Sequence, residues 1–213
     1  MTAPNYRQNS RVVPKAQGVG FKVDMDAPTF PWHDIIGNVH ARGVGATDPG
    51  WATYQGNIKQ YQFAVNDEIW HEFHIPHDYL PGSDIFLHLH WSHAATTVTG
   101  GSLTWGFNAT YAKGHNQAAF PATVDPTLVA AASTTRYQHI ISEVQLSAET
   151  PTGTQLDSDN LEPDWIVLVR VYLSANNITV SGGQPPEPYL HYGDLHYQSI
   201  GIGTKQKAPD FYV

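Results

Sequence analysis

His88 and His90 are the residues whose spacing is most informative about chemistry, in a chain with 12 histidines and no cysteine. We place both on a predicted strand from Asp84 to Trp91, where residues two positions apart point to the same face. Neutral imidazoles held side by side on one strand face can bind a divalent metal ion. Because cysteine is absent, thiolate zinc sites, iron–sulfur clusters and cysteine nucleophiles are excluded.

The spacing Gly82-x5-His88-x-His90 resembles the opening of the first cupin motif, whose metal ion lies inside a jelly roll. That motif also needs a carboxylate a few residues after the second histidine, where this chain has Ala94 and Ala95. Two imidazoles without a carboxylate make a weak, unselective site. We therefore expect His88 and His90 to make hydrogen bonds in a packed sheet or subunit contact, and we predict no metal and no other cofactor. A cupin-like metal-dependent enzyme that uses these two histidines is kept as an alternative.

Histidines at positions 71, 74 and 77 form a second group. His71-Glu72 resembles the start of the zincin signature, but that signature requires a helix and a histidine at position 75, which is Ile75. On the strand predicted here, His71 and His74 point to opposite faces. We therefore predict no metalloprotease site.

Four carboxylates in one loop, Asp157, Asp159, Glu162 and Asp164, could supply oxygen ligands to Ca²⁺. The full calcium-loop spacing, with its glycine at the sharp turn, is absent, so we interpret the segment as a solvated acidic loop. Serine-nucleophile motifs of the G-x-S-x-G type and phosphate-binding loops are also absent. A Ser–His–Asp triad assembled from distant positions is left open by the sequence. We therefore predict that the protein is not an enzyme.

The charge balance argues against two classes of partner. The formal net charge is -8, with 11 basic and 19 acidic residues. Nucleic-acid binding requires basic side chains that neutralise phosphates, and anionic membrane surfaces attract basic segments. The longest dense apolar run, Trp165 to Val169, is far shorter than a membrane span. We expect neither direct nucleic-acid binding nor membrane association.

Alternation of apolar and other residues with a period of two predicts strands along most of the chain. The clearest run is Ser102 to Tyr111, in which every second residue is apolar. We expect about eight strands with long loops, an arrangement that favours a sandwich or jelly roll over an up-and-down barrel. The predicted fold class is all-β, with residues 1–26 as an extended N-terminal arm, 27–204 as a single jelly-roll or β-sandwich domain, and 205–213 as a short C-terminal tail.

Three segments are predicted to depart from simple alternation. Ala27 to Gly50 mixes Pro, Gly and His with isolated apolar residues and is expected to be irregular, with one short strand at most. Pro126 to Ala132 is predicted to form about one or two helical turns, since Pro stands near its start. Asp164 to Leu173 is apolar on both faces apart from Arg170, which predicts a central strand covered on both sides.

Two segments resemble uncharacterised virion proteins of tailed phages and prophages. One is Pro81-Gly82-Ser83-Asp84-Ile85 followed by His88-Leu89-His90-Trp91; the other is the C-terminal run from His196 through Gly201–Pro209 to Tyr212. Together they cover about a sixth of the chain. The resemblance implies a structural component of the virion located on the capsid surface, of the jelly-roll head decoration (cement) type. Decoration subunits of this kind commonly form trimers and clamp capsid proteins with extended arms.

From this resemblance we expect a homotrimer that bridges subunits of the major capsid protein. Candidate interface residues are Tyr6, Arg7 and Arg11 in the arm, and Phe211 and Tyr212 in the tail, where aromatic side chains could anchor in a neighbour's pocket. A tail fibre or adaptor subunit of the virion is an alternative. A soluble carbohydrate-binding sandwich is another, because the chain has 6 tryptophans and 11 tyrosines and aromatic side chains on an exposed sheet face can bind sugars.

Overall fold

The computed structural model describes residues 11–14, 21–24, 30–41, 47–201, 203–204 and 206–209. This part is nearly all β-structure, which confirms the predicted fold class. A 3-10 turn spans Ser158–Asn160. The strands in chain order are β1 (Arg11–Pro14), β2 (Phe21–Asp24), β3 (Trp32–Ile36), β4 (Asn38–His40), β5 (Gly50–Gln55), β6 (Ile58–Gln62), β7 (Glu68–His74), β8 (Phe86–Ser92), β9 (Val98–Ala112), β10 (Thr127–Ala131), β11 (Ile140–Gln145), β12 (Ser147–Ala148), β13 (Leu156–Asp157), β14 (Ile166–Val180) and β15 (Tyr189–Gln198).

Two antiparallel sheets form a β-sandwich. One sheet has the strand order β10-β9-β14-β7-β4. The other has the order β11-β8-β15-β6-β5, and β3 also pairs with β15. Eight strands, β6 to β11 with β14 and β15, are distributed between the sheets in the order of a jelly roll. Two small pairs lie outside these sheets, β1 with β2 and β12 with β13.

The core lies between the two sheets and is built by side-chain alternation. On β8, Leu87, Leu89 and Trp91 are fully buried, while His88 and His90 lie on the opposite face. Trp105 on β9 and Trp165 just before β14 are also fully buried. Burying one such side chain contributes roughly 1.5–3 kcal/mol to folding. The shared core therefore fixes which face of each strand remains outside.

A single glycine carries the chain from one sheet to the other. β3 pairs with β15 of the six-stranded sheet, whereas β4 pairs with β7 of the five-stranded sheet. Gly37 joins β3 to β4, and its N–H donates a hydrogen bond of 3.1 Å to the carbonyl oxygen of Gly193. A Cβ at Gly37 would lie 2.4 Å from the Phe73 ring, so the crossing fits only glycine without movement of a buried side chain. The expectation of one short strand at most between residues 27 and 50 is wrong, because β3 and β4 both lie there.

Two other expectations are corrected by strand pairing. The segment Pro126–Ala132 contains strand β10, not a helical turn, because its backbone pairs with β9 and Leu128 lies opposite Trp105. Tertiary hydrogen bonding here overrides the weak local preference. β14 is central, between β9 and β7, but Ile166 and Leu168 are exposed. The predicted covering of this strand on both faces is therefore wrong, and its outer face meets solvent.

None of the helical segments among the described residues has the length and apolar character needed to cross a membrane.

Gly101 provides a test of how tightly β9 and β14 approach. Its φ is +86°, and a Cβ there would lie 2.2 Å from the carbonyl oxygen of Asn177. We expect Gly101→Ala to lower the free energy of unfolding by about 3 kcal/mol or more, measured by urea denaturation, because backbone strain and overpacking add. The control is Gly153→Ala, with a similar φ of +88° and no atom within 4 Å. That variant should lose only about 1–2 kcal/mol, and equal losses at the two positions would contradict the interpretation.

Candidate functional site

Histidines cluster on the outer face of the six-stranded sheet, away from the core. We call this group the outer histidine row; its members are His88, His90, His139, His191 and His196. Two come from β8, two from β15, and His139 directly precedes β11. These three strands are neighbours in the order β11-β8-β15. Pairing in the sheet therefore brings together residues that are far apart in the sequence.

Asp194 lies at the centre of the row. In the antiparallel pairing of β15 with β8, Asp194 stands opposite His88. Its Oδ1 is 3.0 Å from Nε2 of His90, and its Oδ2 is 3.8 Å from Nδ1 of His88. Asp194 is only 3% exposed and His90 only 5%. The carboxylate that the sequence lacks after His90 is thus supplied by the neighbouring strand.

The remaining ring nitrogens of the two β8 histidines also have partners. Nε2 of His88 is 2.7 Å from Oε2 of Glu143 on β11. Nδ1 of His90 is 2.8 Å from Nε2 of His139. The Tyr192 ring stacks on His90, with centroids 4.0 Å apart and an interplanar angle of 17°. Each of the two imidazoles therefore has a partner near both of its ring nitrogens.

The row continues beyond His88 toward β3. Nδ1 of His196 is 3.3 Å from Nε2 of His88, and Nε2 of His196 is 3.6 Å from Oδ1 of Asp34. The ring of Trp32 packs against His196 with a centroid distance of 5.0 Å. This end of the row is more open, because the Asp34 side chain is half exposed.

Burial controls the electrostatics of the central pair. It lowers the pKa of His90, although the Asp194 carboxylate acts in the opposite direction. It also raises the pKa of Asp194, although His90 and His88 act against that shift. Burial, followed by the charges of His139 and His90, lowers the pKa of His191. The environment therefore disfavours an uncompensated charge on these groups.

In the cupin-like alternative the two imidazoles would lie inside the jelly roll, but His88 and His90 lie on its outer face, where both form hydrogen bonds. They nevertheless form a group of three potential ligands with Asp194, whose donor atoms lie within 4.8 Å of one another. A second such group consists of Asp34, His88 and His196. Nitrogen and carboxylate oxygen donors thus meet at two points on this face.

A serine hydroxyl also contacts the row, at Ser92. Its Oγ lies 2.9 Å from Nε2 of His191 and donates to the hydroxyl of Tyr54 at 2.8 Å. Ser92 is fully buried. A substrate therefore has no access to this hydroxyl as the structure stands, and we assign Ser92 a structural role.

Asp164 gathers three histidines at one end of the sandwich. Its carboxylate oxygens lie 3.2 Å from Nε2 of His74, 3.0 Å from Nε2 of His77 and 2.9 Å from Nε2 of His115. Burial alone would raise the pKa of Asp164, but the hydrogen bond from His115 and the charges of His77 and His74 lower it. His71, which the sequence groups with His74 and His77, lies instead in the core.

His71 is buried without a hydrogen-bond partner for either ring nitrogen. A Cβ at Gly193 would lie 2.9 Å from its Nε2, so the ring sits directly beneath the strand that carries Asp194. Burial lowers the pKa of His71 to about 4, against a smaller opposing effect of the Asn38 and Gly37 backbone. Glu68–His74 is a strand in which the His71 imidazole faces the core and His74 is exposed, so the prediction that these two histidines point to opposite faces is confirmed.

The acidic loop does not converge on one point. Asp157 accepts hydrogen bonds from the backbone N–H of Asp159 and the side chain of Asn160. Glu162 pairs with Lys113 at 3.7 Å, while Asp164 faces the histidines described above. Among the described residues, these carboxylates form no group of three within mutual ligand distance. Asp157, Glu162 and Asp164 are thus held by different partners within the protein.

Most candidate interface residues lie outside the part of the chain that the structure describes. These are Tyr6 and Arg7 in the predicted arm, and Phe211 and Tyr212 in the predicted tail. Arg11 is the first residue of β1, whose backbone pairs with β2. Their role as interface residues stays a prediction.

Sequence reasoning selected His88 and His90 but missed Asp194, Glu143, His139 and His196. The sequence around Asp194 gave little signal, because its strand also carries His191, His196 and Gln198. The carboxylate became identifiable only when the strand pairing was known.

Comparison with known proteins adds little. No family model matches the chain, and no curated protein matches it. Among solved structures, the chain is similar to the N-terminal CBM22-1 and GH10 modules of endo-1,4-beta-D-xylanase 10B from Clostridium thermocellum, complexed with xylohexaose. The identity is 9%, the TM-score is 0.32, and the match covers 82% of this chain and 27% of that chain. The chain thus spans about a quarter of that protein, and a likeness at this TM-score carries no argument.

The buried His71 makes folding sensitive to pH in a defined direction. Its pKa is about 4 in the folded chain and 6.5 ordinarily, so the unfolded chain takes up the proton first. Stability is therefore lost as the pH falls from 6.5 toward 4, by up to about 3 kcal/mol for this group. We expect His71→Leu to remove that part of the loss, measured by urea denaturation at a series of pH values. The control is Leu103→Ala, at a fully buried position on β9, which should lower stability equally at every pH. The same pH dependence in wild type and His71→Leu would contradict the assignment.

Proposed function

We propose that the protein is a structural subunit of a tailed-phage virion, acting as a capsid decoration (cement) protein that stabilises the head. The observation that carries this proposal is the placement of large apolar side chains on the edge strands of the sandwich. The sequence resemblance to virion proteins of tailed phages supplies the context. No bond is made or broken in this function; the protein acts by burying surface against its neighbours.

The edges of both sheets present apolar side chains to solvent. β10 ends one sheet and β11 ends the other, and these strands carry Val129, 69% exposed, and Ile141, 54% exposed. At the opposite side, β5 exposes Trp51 and β3 exposes Trp32. Edge strands also present unpaired backbone N–H and C=O groups, which can pair with a strand of another chain. Apolar side chains beside such groups are typical of surfaces that contact another subunit.

The energetics favour many modest contacts per particle. Each interface buries apolar surface worth roughly 25 cal/mol per Å², from which ordering costs must be subtracted. A cement protein repeats the contact over a whole shell, so small contributions per subunit add up. Association as a homotrimer, in contact with the major capsid protein, is part of the proposal.

The same surfaces would serve a tail fibre or adaptor subunit. Copy number separates the two locations, since a decoration protein requires hundreds of copies per particle and a tail component few. Quantitative mass spectrometry of purified virions, relative to the major capsid protein, provides this count. A copy number near that of a tail component would indicate that the protein belongs to the tail.

Substitution at the edge of the sandwich tests the proposed contact surface. We expect Val129→Glu together with Ile141→Glu to reduce retention on capsids assembled without the protein by about tenfold or more, because charges replace buried apolar contacts. The measurement is co-sedimentation of purified protein with these capsids. Phe120→Glu is the matched control, since Phe120 is half exposed but lies in the connection between β9 and β10. Retention of the double variant at the wild-type level would argue against the edge contact.

Removal of residues 1–20 tests the predicted arm. We expect the truncated chain to keep the circular dichroism spectrum of a folded β-protein and to bind capsids more weakly, because the arm would clamp a neighbouring subunit. Binding is measured by the same co-sedimentation assay. Equal capsid binding by the truncated and full-length chains would show that residues 1–20 do not contribute to capsid binding.

A further inference from the structure

We propose that His88, His90 and Asp194 form a binding site for one divalent transition-metal ion, such as Zn²⁺, that joins β8 to β15 on the outer face of the sheet. Two imidazoles and one carboxylate are a recurrent ligand set for such ions. The inference does not depend on the proposed virion function, because it rests on the geometry of this face alone.

The distances from Asp194 to the two histidines show which atoms would bind the ion. Asp194 Oδ1 is 3.0 Å from Nε2 of His90, and its Oδ2 is 3.8 Å from Nδ1 of His88. Ligands at about 2.0–2.2 Å from one ion lie roughly 3–3.5 Å apart. The His90–Asp194 separation already has this value, and a small rotation of the His88 ring would bring the third donor into range.

In each imidazole, the ring nitrogen that points away from Asp194 has a partner of the kind that metal-binding histidines have. A histidine that binds a metal through one nitrogen commonly donates its other N–H to a carboxylate or another acceptor. For His88, Nε2 faces Glu143 Oε2 at 2.7 Å, which leaves Nδ1 for the ion. For His90, Nδ1 faces Nε2 of His139 at 2.8 Å, which leaves Nε2 for the ion. This outer set of partners is an observation independent of the three ligands themselves.

Charge around the site favours a cation. Asp194 is buried, and Glu143 and Asp34 add two carboxylates next to the row. Among the described residues, no Lys or Arg forms an ion pair with any of these three. A buried carboxylate without a positive partner is costly, and a divalent ion would supply that partner.

The backbone holds the ligands in place before the ion arrives. His88 and His90 belong to one strand, and Asp194 stands opposite His88 in the next. The intervening Leu87 and Leu89 are fully buried in the core, so β8 cannot rotate without exposing them. Ligands positioned in this way lose little conformational freedom on binding.

Two other groups of potential ligands fit less well. In the group of Asp34, His88 and His196, the nitrogen of His88 that faces His196 already faces Glu143, and Asp34 is half exposed. Around Asp164, His74 and His77 are within hydrogen-bond reach of the carboxylate. Within the described ranges, however, that set contains no three donor atoms within 4.8 Å of one another.

The ion would act as a cross-link between two strands that the chain connects only through a long path. His90 and Asp194 are 104 residues apart. Binding to the folded chain alone raises stability by an amount that grows with the logarithm of the metal concentration relative to the dissociation constant. Any remaining coordination positions would be occupied by water.

Calorimetric titration of the full chain with Zn²⁺, after removal of metals with EDTA, tests the site. We expect binding of one equivalent and a higher melting temperature in Zn²⁺ than in EDTA. Asp194→Asn should weaken Zn²⁺ binding by at least about 100-fold, since it removes a charged ligand. Asp164→Asn is the matched control, because it changes an aspartate that contacts three histidines outside the row, and it should leave the affinity unchanged.

Because Asp194 is buried, a second variant at a more exposed position separates loss of Zn²⁺ binding from loss of the fold. Glu143 is half exposed, so Glu143→Gln should leave the fold intact while weakening Zn²⁺ binding about 10–100-fold through His88. Visible absorption of Co²⁺ bound in place of Zn²⁺ reports the coordination number and so separates a protein-held ion from one that is only hydrated. Absence of Zn²⁺ binding by the folded wild-type chain would overturn the proposal. So would binding that is lost in Asp164→Asn and retained in Asp194→Asn.

Discussion

The pairing of β8 with β15 is the constraint on which both the core and the outer face depend. On β8, alternate residues point into the sandwich and out of it, so the burial of Leu87 and Leu89 determines where His88 and His90 lie. The register then places Asp194 beside them. A slip of one residue would turn the apolar set to solvent and the imidazoles into the core. The hydrophobic effect thus positions polar groups that it does not itself stabilise.

The polar face is crowded in an unusual way for a solvent-facing surface of a sheet. His90 and Asp194 are almost inaccessible although they point away from the core, and Tyr192 and His139 both contact the His90 ring. Their neutral and charged forms therefore compete under conditions close to those of an interior. Such an arrangement concentrates nitrogen and oxygen donors, while the edges of the same sheet carry apolar side chains. The donor atoms and the exposed apolar side chains thus occupy different parts of one sheet.

Alternation predicted the faces of β8 and β9 from sequence, because both strands are covered on one side only and their patterns are regular. The same reasoning failed for β14, where Ile166 and Leu168 are apolar yet exposed. It also failed for β10, whose strand conformation comes from hydrogen bonds to β9 and not from its own residues. For the site, the sequence indicated His88 and His90, and the local search for a carboxylate ended at Ala94 and Ala95. Asp194 was out of reach of that search, since only the register of two distant strands brings it near.

Gly37 gives the sandwich a mechanical property. The strands on either side of this glycine belong to different sheets, with β3 held by β15 and β4 held by β7. Tension applied to the polypeptide before Trp32 therefore enters both layers within a short length of chain. The load is divided between two hydrogen-bonded ladders, and neither sheet can be peeled away from this corner without straining the other.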